Sequence, residues 1–261
     1  MKIKEAILIG LVLLLMVSLT LPFGCAKATE AVAFPDENLE ASIRDALGKP
    51  EGEEIMDADL ARLTTLRAKC SDIADLSGLE YCTNLTELSL DGNQISDISP
   101  LASLTSLTQL TLWLNQISDI SPLASLTSLT VLGLDENQIS DISPLASLTS
   151  LTVLDLGGNY ISDISPLASL TSLTLLFLDR NRISDVSPLA SLTSLTQLFL
   201  SENQISDISP LVENSGLGAG DKVWLAVNNL DLWEGSEDLE NIRALEDRGV
   251  VVSHDPIGSA P

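Results

Sequence analysis

Three rows of side chains recur along this chain at a spacing that chemistry could use. The first is Asp75, Asp97, Asp119, Asp141, Asp163, Asp185 and Asp207, one carboxylate every 22 residues. Such a row offers oxygen ligands of the kind Ca²⁺ takes, but one monodentate carboxylate per turn is a thin cage. From Asp97 on each Asp stands two residues before a Ser-Pro, and Asp75 stands two before Ser77-Gly78, so the structural reading is that each accepts backbone N–H groups where a turn begins. No metal site and no cofactor are expected. The second row is Asn93, Asn115, Asn137, Asn159, Asn181 and Asn203, joined by Asn228. Stacked at one depth, these amides need partners, and the free backbone groups of the adjacent bend can supply them. For catalysis the inventory is poor. The single histidine, His254, lies near the end of the chain with no nucleophile or base placed for it. An enzyme is not expected.

The third row is chemically different. Eight aromatic residues follow position 28, and five occupy positions that vary between otherwise near-identical segments: Trp113, Tyr160, Phe177, Phe199 and Trp224. One variable column reads Glu87, Gln109, Val131, Val153, Leu175, Gln197. The next reads Ser89, Thr111, Gly133, Asp155, Phe177, Phe199, then Trp224, and a third reads Asp91, Trp113, Asp135, Gly157, Asp179, Ser201. Exposed aromatic and aliphatic groups gathered in a patch mark a binding surface. The candidate contacts are Trp113, Val131, Val153, Tyr160, Leu175, Phe177, Phe199 and Trp224, with Arg180 and Arg182 as polar anchors at the rim. A cross-strand aromatic ladder that only stiffens a sheet is the alternative.

The elements that must position these rows come from repetition. Leu85, Leu107, Leu129, Leu151, Leu173 and Leu195 each open a copy of LTxLxLxxNxISDISPLASLTS. Within a copy, Leu88 and Leu90 alternate with Glu87, Ser89 and Asp91, the period-two pattern of a short strand with one buried face. Ser99-Pro100 then suits the start of a short helical turn. A copy this small cannot bury its own apolar face, whereas stacked copies share one continuous core. Residues 63–84 form a worn copy, in which Ala68 replaces a Leu and Ser71 the Asn. A further copy, Val223 to Leu230, is displaced by three residues, and the glycines at 216, 218 and 220 predict a flexible loop over Gly216–Asp221.

LxxLxLxxNxI at this period resembles the leucine-rich repeat, and the return segment ISDISPLASLTSL resembles that of bacterial internalins. The resemblance implies an α/β solenoid: right-handed, with a parallel β-sheet on the concave face, 3₁₀ turns on the convex face and a helical N-terminal cap. The FPDxxLxxxIxxxL stretch from Phe34 also resembles the internalin cap. It implies a protein-binding role, extending to adhesion at a surface or host cell, with the ligand unnamed.

Composition bounds the partners. Thirteen Lys and Arg against 37 Asp and Glu give a net charge of −24, which argues against nucleic acid and for basic or neutral partners. Residues 1–28 read as a signal peptide: Lys2 and Lys4, an apolar run from Ala6 to Leu21, then Leu-Pro-Phe-Gly-Cys. The last resembles a lipobox with lipidation at Cys25, and Ala26-Lys27-Ala28 offers ordinary signal peptidase an alternative site. The expected protein is exported, either anchored in the envelope as a lipoprotein or secreted, and it meets a membrane only through that segment. Residues 29–62 are read as the N-terminal cap, 63–230 as repeats and 231–261 as a C-terminal cap and tail, with a helix over Ser236–Arg248 and a closing strand at Val250–Val252. Cys82 falls in a core column and Cys70 on a variable one, so two free thiols are favoured over a Cys70–Cys82 bridge. Beside protein binding stand two other functions, a carbohydrate-binding module using Trp113, Phe177 and Phe199, and a passive structural spacer.

Overall fold

The computed structural model describes residues 29–255. The signal segment with Cys25 and the tail 256–261 lie outside the described residues. The chain repeats one move: a three-residue strand, a bend, and a short helical return. The strands are β1 (Thr65–Arg67), β2 (Glu87–Ser89), β3 (Gln109–Thr111), β4 (Val131–Gly133), β5 (Val153–Asp155), β6 (Leu175–Phe177), β7 (Gln197–Phe199), β8 (Lys222–Trp224) and β9 (Val251–Ser253). They form one parallel sheet in sequence order. Its register is that of the repeat, with Leu66, Leu88, Leu110, Leu132, Leu154, Leu176 and Leu198 paired in turn. Leu198 then pairs with Val223, so the three added residues are absorbed before β8.

The returns are 3₁₀ turns, Ser99–Ser103 and its equivalents up to Ser187–Ser191. Proline stands in their first turn, where its missing N–H costs no hydrogen bond. The core columns close over: Leu85, Leu90, Ile95, Leu101 and Leu104 have no accessible surface, later copies repeat this to within 1%, and only in the sixth does a polar residue, Asn214, take the column of Leu104. The side chains that stay constant between copies bond their neighbours. Thr108 Oγ1 donates to Thr86 O at 3.0 Å, and Thr130, Thr152, Thr174 and Thr196 repeat the bond. On the return, Ser125 Oγ donates to Ala102 O at 2.8 Å. Each Asp of the first row accepts the N–H of the following Ser, as in Ser121 N to Asp119 Oδ1 at 2.8 Å.

The residue before each ladder Asn, and Cys70 before Ser71 in the worn copy, takes the left-handed conformation. Cys70, Leu114, Glu136, Arg180, Glu202 and Val227 have φ between 51° and 59°, and Gly92 and Gly158 share the row. A β-branched residue such as Val227 is strained there. The stack imposes the bend whatever residue occupies it.

Both ends are sealed. Helix α1 (Glu37–Leu47) buries Leu39 and Ile43 against the first copy. Its N-cap Asp36 also accepts Ala74 N at 2.7 Å and Asp75 N at 3.1 Å, stapling the cap to the array. A single helical turn follows, α2 (Asp57–Leu60), with Leu60 buried. In the sixth copy the return becomes α-helical, α3 (Ser209–Glu213). Gly216–Asp221, expected to be a flexible loop, is instead pinned. Buried Asn214 donates to Leu189 O and Leu192 O, and its Oδ1 accepts Gly216 N. Gly216 lies so close that a Cβ there would meet Thr193 O at 2.0 Å, so a tight crossing requires that glycine. Helix α4 (Glu237–Asp247) turns Ile242 and Leu245 inward, and β9 closes the sheet one residue later than expected. Cys70 and Cys82 are both free thiols. Cys82 is fully buried, which pushes its thiol up to about 12. No helix among the described residues is long and apolar enough to cross a membrane.

Candidate interaction surface

The Asn ladder is built into the scaffold. Asn137 Oδ1 accepts Ile117 N at 3.0 Å, while Nδ2 donates to Leu112 O at 3.0 Å and Leu134 O at 3.1 Å. Asn93, Asn115, Asn159, Asn181 and Asn203 do the same in their own copies. Buried and saturated, these amides have nothing left for a ligand.

The sheet face outside that ladder carries the aromatic row. Phe177, Phe199 and Trp224 are register partners on consecutive strands. Their rings stack: 4.3 Å between the centroids of Phe177 and Phe199 at 16°, and 3.9 Å between Phe199 and Trp224 at 6°. Both faces of Phe199 are therefore covered, and each ring is half-buried. The row beside them, Val131, Val153 and Leu175, is half-buried as well, an aliphatic strip along three strands.

The other expected contacts do not join this stack. Trp113, 39% exposed, follows β3, three strands and about 14 Å from β6. Tyr160 lies past the Asn ladder, where Arg182 sits over its ring with Cζ 4.7 Å from the centroid, so the two form a separate rim pair. Arg180 is engaged within the chain, with Nη1 2.5 Å from Glu136 Oε1 and Nε 3.2 Å from Asp179 Oδ2.

The structure adds a group that the emphasis on aromatics passed over. Asp155 precedes Phe177 in the same row, and Asp135 and Asp179 stand nearby in the next column. Burial, with repulsion from Asp135 and Asp179, pushes Asp155 up to about 6, and burial also raises Asp135. These carboxylates stood in the variable columns. Their departure from the smaller or uncharged residues of neighbouring copies was the available signal. At the other end of the face Asp91, almost fully buried, accepts Ser89 and Thr111 hydroxyls and pairs with Lys69 at 2.8 Å. Among the described residues no group of three or more His, Cys, Asp or Glu is placed to hold a metal ion.

Comparison with known proteins agrees with this architecture. A family profile described as Leucine Rich repeats (2 copies) matches residues 61–103, 83–125, 105–147, 127–169 and 171–213. The crystal structure of an internalin C2 from Listeria monocytogenes is 37% identical over 85% of this chain and 94% of its own, with a TM-score of 0.77. A leucine-rich-repeat protein of Leptospira interrogans shares the fold at 23% identity, over 76% of this chain and 50% of its own, with a TM-score of 0.63. The leucine-rich-repeat ectodomain of the Arabidopsis thaliana receptor kinase GASSHO1/SCHENGEN3, solved in complex with CASPARIAN STRIP INTEGRITY FACTOR 2, is 25% identical over 69% of this chain and 22% of its own, with a TM-score of 0.58. A search of curated proteins found no match. With its uniform ladder, parallel sheet and 3₁₀ returns, the chain belongs to the leucine-rich-repeat family and is of the bacterial internalin-like kind.

Proposed function

We propose that this is an exported or surface-anchored protein that binds another protein through the concave sheet face, without catalysing a reaction. One observation carries the reading. Return positions repeat almost unchanged, while the outward strand positions vary and collect Phe177, Phe199, Trp224 and the strip Val131, Val153, Leu175. Positions free to vary on a rigid frame are where a binding surface is written. The plant ectodomain in complex with its factor supports a repeat array acting as a receptor. Export rests on the signal-like segment, with Cys25 as the lipid attachment point. The carbohydrate alternative loses one of its three platforms, because sugar rings need an open aromatic face and both faces of Phe199 are covered.

The test is a cross-linked pull-down from envelope extracts. It compares the chain with a Phe177→Ala, Phe199→Ala, Trp224→Ala variant, with Trp113→Ala made separately and circular dichroism confirming the fold. A protein captured by the parent and lost by the triple variant supports the concave face. Equal capture by both moves the site elsewhere, and capture by neither favours the spacer.

A further inference from the structure

The aromatic row is not symmetric. At one end Phe177 has no ring beyond it, and the face turned away from Phe199 looks along the sheet toward β5, where its register partner is Asp155. Between Asp155 and Asp179 the chain places Gly157. Its backbone is ordinary, so a side chain is permitted there, yet a Cβ would stand 3.4 Å from Asp155 Oδ1 and 3.3 Å from Asp179 Oδ1. The glycine keeps open the space that two carboxylates border. We propose, building on the concave-face reading, that this surface receives a basic segment of a partner polypeptide, an arginine or lysine entering the gap at Asp155 against the open face of Phe177 while apolar neighbours lie along Phe199 and Trp224.

Charge complementarity identifies the occupant. Among the described residues Asp155 has one side-chain hydrogen bond, from Gly157 N at 3.1 Å, and no cation bridges to it. Arg180, which reaches across from Asp179 to Glu136, shows that a guanidinium settles among these acids; it acts on Asp155 only at a distance and makes no bridge to it. The carboxylates are not grouped to chelate a metal, whereas a guanidinium or ammonium on a flexible stem can meet Asp155 and an aromatic face together. Burial and the charges of Asp135 and Asp179 outweigh the distant attraction of Arg180, so a cation brought into the gap would meet a carboxylate short of counter-charge.

Selection of a displayed random-peptide library on the full chain tests this. The expected pool is enriched in Arg or Lys beside apolar residues. Its members bind Asp155→Asn roughly tenfold or more weakly than the parent, and they weaken in added salt. Gly157→Ala, which fills the gap without changing charge, is expected to reduce binding in the same way. A pool without basic enrichment, or one held equally by Asp155→Asn, overturns the basic occupant. If such a pool is still lost on Phe199→Ala, the concave-face reading survives that failure. Binding indifferent to both variants overturns both.

Discussion

Aspartates on the two sides of this solenoid are under opposite pressures. On the return segments Asp119, Asp141 and Asp163 are held below the usual carboxylate range, first by the backbone N–H of the following serine and then by its hydroxyl. On the sheet face Asp135 and Asp155 are raised, by burial first and then by neighbouring carboxylates, Glu136 and Asp91 for Asp135 and Asp135 and Asp179 for Asp155. The first set is bonded by the chain's own backbone and stabilises a turn. The second is crowded and short of partners, which costs stability. A residue type that supports the frame at one place and strains it at another indicates which side is structure and which side faces outward.

The largest expected effect comes from emptying a saturated polar site. Asn137→Ala strands the buried N–H of Ile117 and takes one of two amide donors from each of the Leu112 and Leu134 carbonyls, which keep Asn115 and Asn159, and should lower unfolding free energy by about 3 kcal/mol. Urea denaturation measures it, and a loss below about 1 kcal/mol would erase the distinction between bonded and crowded polar groups. Next comes Asp155→Asn, which should stabilise. A carboxyl whose folded value lies above its unfolded one takes up a proton on folding, so its contribution to stability is full at low pH and is lost as pH rises from about 4 through about 6. The gain should therefore be absent near pH 4 and on the order of 2 kcal/mol above pH 7, read from melting curves across that range. A gain that does not depend on pH would mean that packing, not charge, limits the site. The smallest effect is that of Asp141→Ala. A lowered carboxyl contributes above its unfolded value and loses that contribution as pH falls through the folded one. The melting temperature should drop by roughly 2 °C near neutrality, with no difference in strong acid. A drop confined to the acid limb would reverse the assignment.

Most of the frame was legible because the repeat writes each instruction several times. Leu88 and Leu90 gave the strand, Ser99-Pro100 the return, and Asp97 with its equivalents the turn they cap. The left-handed row was not legible. Only Gly92 and Gly158 hinted at it, because in the other copies the stack forces the bend on residues that would not choose it. The pinned crossing at Gly216 escaped for a related reason: three glycines suggest slack, and the buried amide of Asn214 that holds Gly216 is itself anchored on carbonyls of the preceding copy. On the sheet face the order of the rings could be read from the columns. The ring stacking, the engagement of Arg180 by Glu136 44 residues away, and the crowding of Asp155 depend on depth and distance, which a column of letters does not carry.

The asparagine ladder has a consequence for how such a chain can change over generations. Each amide reaches only into the adjoining copy, so removing 22 residues between equivalent positions, or inserting 22, leaves every rung with a neighbour of the same kind. Near-identical copies invite that exchange in the gene, and the fold tolerates it. The interval between Trp113 and the ring stack would then lengthen or shorten in steps of about 4.8 Å, one strand at a time. The array is a ruler whose graduations are uniform, and a lineage can refit its span to a new partner without redesigning either end.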